Sequence, residues 1–99
     1  MNIKVYHRKY PETDWDYRAV STIFDGNEII YYHLFNERKH SIGIEVFRGR
    51  NYIVGDNRRS YSNKYDLDRI PKKYRNIVSN LAIEFNRIKW SKANKVNLN

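Results

Sequence analysis

The sequence predicts an α+β domain: an antiparallel meander of four to five strands with one long carboxy-terminal amphipathic helix packed on it. Three observations carry this. The first half alternates apolar and polar residues with period two and is broken by short turn-forming clusters. Asp25-Gly26 is a hairpin turn pair. From Tyr74 to Ile88 the apolar residues switch to three- and four-residue spacing.

Taken in order, Ile3, Val5 and His7 share one face of a first strand. A polar loop, Tyr10 to Asp16, contains Pro11 and leads to a second strand from Tyr17 to Phe24. After the Asp25-Gly26-Asn27 turn, Glu28 to Phe35 is rich in β-branched and aromatic residues, the composition a pleated, half-buried surface favours. Asn36 to Lys39 turns the chain into Ser41–Phe47, where Ile42, Ile44 and Val46 alternate with Gly43, Glu45 and Phe47. Arg48 to Asn51 turns again, and Tyr52 to Gly55 is a short last strand. Asp56 to Arg69 is polar. Pro71 then suits a helix start, because the first turn does not need its missing N–H. Tyr74, Ile77, Val78, Leu81, Ala82, Phe85 and Ile88 form the stripe of a helix from about Pro71 to about Lys92. Ile42, Ile44, Leu81 and Phe85 are predicted core residues.

Ninety-nine residues fit one domain spanning 1–99, with 93–99 expected as a frayed tail. The chain has no cysteine, which removes disulfides, thiol nucleophiles and thiolate metal sites. No run approaches the ~20 apolar residues of a membrane span, and the amino terminus enters a strand at once. A cytoplasmic location is the expectation. Lys, Ile, Asn and Tyr are abundant, a bias that A/T-rich codons produce.

The net charge of +8 is uneven. Up to Phe47 there are six Lys/Arg against seven Asp/Glu; from Arg48 onward there are thirteen against four. Such asymmetry points to nucleic acid or an acidic protein partner. The densest tract runs through Arg48, Arg50, Arg58, Arg59, Tyr61 and Lys64. Guanidinium and ammonium groups meet phosphates, and Tyr offers a stacking face. Lys72, Lys73 and Arg75 crowd a helix start, where the dipole disfavours cations and free N–H groups favour anions. These nine residues are the candidate surface for nucleic acid or a protein partner. Ile83 and Trp90 fall off the apolar stripe, nearly opposite it, and are the candidate protein interface, with a homodimer among its uses.

No metal site is expected: Glu12, Asp14 and Asp16 lack the glycine and later glutamate of a calcium loop, and the histidines show no zinc spacing. Phosphate-binding glycine loops and hydrolase elbows are also absent, so no cofactor is expected. His7, His33 and His40 could serve acid–base cleavage of RNA, but nothing in the sequence orders them as a pair.

In size, Asn/Lys/Ile/Tyr bias, lack of cysteine and immediate entry into a strand, the chain resembles as a class the small phage-encoded proteins that block host or defence machinery, anti-CRISPR proteins among them. Many of those are acidic DNA mimics; a basic member would instead grip guide RNA, DNA or an acidic patch on its target. A weaker resemblance is to integrase-arm DNA-binding domains, three strands followed by a helix, although the sheet here is larger. The expected function is a non-enzymatic inhibitor engaging a nucleic-acid-handling protein or its nucleoprotein complex. A direct DNA- or RNA-binding module and a small toxin-like ribonuclease are the alternatives.

Overall fold

The computed structural model describes residues 1–10, 12, 14–59 and 67–90, without the side chains of Arg58 and Arg59. Its elements are β1 (Lys4–Tyr10), β2 (Trp15–Phe24), β3 (Asn27–Phe35), β4 (His40–Arg48), β5 (Asn51–Arg59), a short 3-10 turn (Leu67–Arg69) and α1 (Lys72–Arg87). The strands form one antiparallel sheet in sequence order, β1-β2-β3-β4-β5. This is the α+β meander with a carboxy-terminal helix that the sequence predicts.

The turns explain the order. Asp25 and Gly26 both have positive φ, 53° and 76°, so a two-residue turn of the primed type closes the β2–β3 hairpin with Phe24 opposite Asn27. At Asn36 the side-chain oxygen accepts from the backbone N–H groups of Arg38 and Lys39, each at 2.8 Å, which holds the β3–β4 turn. Between β4 and β5 the register shifts after Val46, which faces Val54, while Phe47 faces Tyr52. Ile53 is therefore the extra residue of a bulge on an edge strand.

Pairing register sets which side chains share a face. The rows Val5–Val20–Tyr31–Ile44 and His7–Arg18–His33–Ile42 run across the face that α1 covers. The core forms there: Val20, Ile29, Tyr31, Ile42, Ile44 and Val46 from the sheet meet Ile70, Tyr74, Val78, Leu81 and Phe85. The predicted core positions Ile42, Ile44, Leu81 and Phe85 are all buried. On the opposite face the row is Tyr6–Ala19–Tyr32–Gly43–Asn57. The Tyr32 ring lies over Gly43, where any Cβ would overlap it.

Two boundaries toward the carboxy-terminal half differ from expectation. The last strand does not stop at Gly55 but continues to Arg59, because backbone pairing with Ser41 to Ile44 holds the polar residues in the sheet. The helix ends at Arg87, not near Lys92. Ile88 is already extended, and its N–H bonds to the Phe85 carbonyl. That early stop moves Trp90 off the helix, and with it goes the helical azimuth it was expected to share with Ile83. Trp90 is only 8% exposed, packs at 4.7 Å from the Phe85 ring and 5.7 Å from the His7 ring, and donates its indole N–H to the Phe85 carbonyl at 3.1 Å. Ile83, at 50%, does lie open. The two do not form one exposed surface. The expected frayed tail, 93–99, lies outside the described residues.

Candidate functional site

The structure separates the basic residues into places the sequence could not distinguish. β5 is an edge strand of the sheet. Arg48 and Arg50 are exposed at the turn that begins it, and Arg58 and Arg59 stand at its far end. Eight residues of strand put the two ends roughly 25 Å apart. Between them Tyr52 is 59% exposed and Ile53 45%. The two arginine pairs thus mark opposite ends of the strand rather than one compact cluster, with an exposed aromatic between them. Arg48 also donates from Nε to the Asn27 side-chain oxygen at 3.1 Å, which ties it to the end of β3.

The helix start is linked to this edge. Arg69 reaches back to Asp56 on β5, with Nε to Oδ2 at 2.9 Å and Nη2 to Oδ1 at 3.0 Å. Asp56 stands two residues before Arg58. Lys72 and Lys73 are exposed on the first turn of α1, and the Lys73 ammonium sits 5.0 Å from the centre of the Tyr74 ring. Arg75 acts locally, since its Nε donates to the Ile70 carbonyl at 3.2 Å and braces the turn before the helix. Tyr61 and Lys64 lie outside the described residues.

A second site was not legible as a site in the sequence. The three histidines gather toward one end of the helix-covered face. His7, Arg18 and His33 are neighbours in one row across β1, β2 and β3, and His40 begins β4 beside Phe35. The Asp16 carboxylate is shared between His7 Nε2, at 3.0 Å, and Arg18, whose Nε lies at 3.3 Å. His7 Nδ1 is buried without a hydrogen-bond partner among the described residues. His33 is held at both nitrogens: the Tyr31 hydroxyl lies 2.9 Å from Nε2, and His40 Nε2 lies 2.8 Å from Nδ1. Phe85 stacks on the His33 ring at 4.2 Å. Arg18, His33, Phe35, Asn36, His40, Phe85, Asn86, Ile88 and Trp90 line a pocket of about 380 Å³ there.

Burial governs the charge of His33 and His40. It pushes His33 from its ordinary 6.5 down to about 3, with His40 and Arg18 adding repulsion, and it lowers His40 as well. The unfolded chain therefore takes up a proton near pH 6.5 that folded His33 refuses until about pH 3. Stability is thus full above pH 6.5 and is lost as pH falls through that window. One extra proton on the unfolded chain corresponds to a slope of about 1.4 kcal/mol per pH unit. Urea unfolding at pH 7, 6 and 5 should show this loss, and His33→Gln should flatten it. A pH-independent midpoint between 7 and 5 would mean that His33 is not held neutral.

Among the described residues no helix is long and apolar enough to cross a membrane. Compared with protein-family models, with curated proteins and with solved structures, the chain matches none.

Proposed function

We propose that this chain is a non-enzymatic binding protein, an inhibitor of phage or mobile-element type, that engages a nucleic-acid-handling protein or its nucleoprotein complex along the β5 edge. The supporting observation is the layout of charge on that edge. Arg48 and Arg50 stand at one end and Arg58 and Arg59 at the other, with exposed Tyr52 and Ile53 between, and the cationic first turn of α1 is linked in through Arg69 and Asp56. A stripe of this length suits an extended, negatively charged ligand better than a point anion. It also fits the uneven charge of the sequence, whose excess of Lys and Arg begins at Arg48.

The histidine cluster favours binding over cleavage. RNA cleavage by acid–base chemistry needs one group to take a proton and another to give one. In the His33–His40 pair both nitrogens of His33 are engaged, so His40 alone keeps an uncommitted nitrogen.

The test is capture of the partner with and without nuclease, followed by binding at low and high salt. Arg58→Glu together with Arg59→Glu should abolish capture and leave the thermal midpoint nearly unchanged. If nucleic acid is touched directly, log affinity should fall with log salt at a slope of about −0.9 per duplex phosphate neutralised. An acidic protein surface gives a weaker dependence, mostly in the association rate. Undiminished capture by the double variant would remove the β5 edge from the function.

A further inference from the structure

The pocket between the β3–β4 turn and the end of α1 has a polarity that follows from its hydrogen bonds. Tyr31 is 1% exposed, and its hydroxyl has His33 Nε2 as its partner among the described residues. A buried hydroxyl proton must go to an acceptor, so Tyr31 donates and His33 Nε2 accepts. Neutral His33 then carries its proton on Nδ1 and donates it to His40 Nε2. With Nε2 accepting, neutral His40 carries its own proton on Nδ1. The chain Tyr31–His33–His40 runs in one direction and ends in an N–H donor.

Two further groups on the same wall are polarised in the same way. The Asn36 side-chain oxygen is consumed by the N–H groups of Arg38 and Lys39, so what its amide has left to offer is the NH2 group. Arg18 spends Nε and Nη2 on Asp16, at 3.3 and 3.5 Å, and Nη1 has no partner among the described residues. Among the described residues that line the pocket there is no Asp or Glu. Arg18 is fixed in place by the Phe35 ring, 4.9 Å from its guanidinium carbon, and by Trp90 at 5.8 Å.

From this set of donors on its lining residues we infer that the pocket lined by Arg18, Asn36 and His40 binds a phosphate monoester group. The remaining arginine Nη1, an imidazole N–H and an amide NH2 are donors from which a phosphoryl group with several acceptor oxygens can accept. Arg18 supplies the charge, so the site functions at neutral pH with both histidines uncharged. Such a group comes either from a free nucleotide or from the phosphorylated end of a nucleic-acid strand. Among the described residues none of β5 lines the pocket, so the inference does not rest on the function proposed for that edge.

The experiment is a long-range proton–nitrogen NMR titration of the histidine rings of the intact chain. The probes are inorganic phosphate, a nucleoside 5′-monophosphate, and a short oligonucleotide with and without a 5′-phosphate. The unliganded spectrum should show both His33 and His40 protonated on Nδ1. Phosphate-bearing probes should shift the His40 ring saturably, and the oligonucleotide lacking the phosphate should not. Binding of the phosphorylated oligonucleotide but not the mononucleotide would assign the site to strand ends; binding of both would assign it to the phosphate group itself. Asn36→Asp keeps the oxygen that caps the turn but replaces the NH2 donor by a carboxylate oxygen, so affinity should fall at least about tenfold. His40→Phe, which keeps a ring of similar shape without the N–H, should do the same. Arg50→Glu, at the end of β5 away from the pocket, should leave phosphate binding unchanged, which separates this site from the β5 surface. No saturable His40 shift with any phosphate-bearing probe, or wild-type affinity in both pocket variants, overturns the inference.

Discussion

Replacing Trp90 with Ala is expected to destabilise the domain by about 3–5 kcal/mol, the range for truncating a large buried aromatic. Trp90 packs against both His7 and Phe85, and the Arg18 guanidinium lies within cation–π distance of its ring. Removing the indole would open a cavity at the end of the core and expose the His7–Asp16 pair to water. It would also leave the Phe85 carbonyl with only the weaker 3.4 Å bond from the Ile88 N–H. Trp90→Phe separates the two contributions. It restores ring packing but not the indole N–H, so it should cost nearer 1 kcal/mol beyond any loss of fit. Chemical unfolding of the three proteins measures this. A change below about 0.5 kcal/mol for Trp90→Ala is what a surface position gives, and would return Trp90 to the exterior.

Leu81→Ala should cost about 2–5 kcal/mol, with the value set by how far the sheet and helix close over the void. Leu81 is fully buried at the middle of α1, between Val78 and Phe85 on the stripe that meets Val20 and Tyr31. Ile83 supplies the control. Two residues further on, it points about 200° away around the helix and is half exposed, so Ile83→Ala should change stability by less than about 0.5 kcal/mol. Comparable losses at the two positions would mean that the face carrying Ile83 is covered in solution, and a self-association measurement on the same samples would then identify a second copy as the cover.

The hairpins were legible because their turn residues carry their own conformational requirement. Asp25-Gly26 demands positive φ, and the alternation from Ser41 to Phe47 states which side of β4 is inside. β5 was half legible. Tyr52 to Gly55 has strand composition, whereas Asp56-Asn57-Arg58-Arg59 owes its extended form to the neighbouring strand and not to its own side chains. Trp90 was misplaced because a helical wheel presumes that the helix continues. Nothing local ends α1 at Arg87, since Ile88 is apolar and in phase with the stripe. What ends it is the favourable burial of the indole in the corner made by His7 and Phe85.

The histidine cluster was hidden for a different reason: it depends on register alone. In an antiparallel hairpin, facing residues have numbers that share a fixed sum, and the turn sets that sum. Once Phe35 faces His40, His33 faces Ile42, and both histidines lie on the side of Tyr31. Once Phe24 faces Asn27, Arg18 faces His33. The Asp-Gly turn already fixes the second relation, so the Arg18–His33 neighbourhood could have been read from the sequence. The four-residue Asn36–Lys39 turn permits more than one register, and the Asn36 hydrogen bonds favour the observed one together with the burial of Ile42, Ile44 and Val46.

The order of elements also has a bearing on how the chain acquires its form. Each strand pairs only with the strand before and after it in sequence, so the sheet can zip up through local hairpin closures, each requiring a short loop and little entropy. The helix is the exception. It follows all five strands, yet it packs on β2 and β3, some fifty residues earlier along the chain. As the chain leaves the ribosome, Val20, Tyr31 and Ile44 are therefore in position well before Leu81 and Phe85 arrive to cover them. During that interval the sheet carries an uncovered apolar face and two unpaired edges, which makes it the species most prone to self-adhesion. Docking of α1 removes the apolar face. At the start of the β5 edge, the exposed charges of Arg48 and Arg50 discourage strand addition before and after that step.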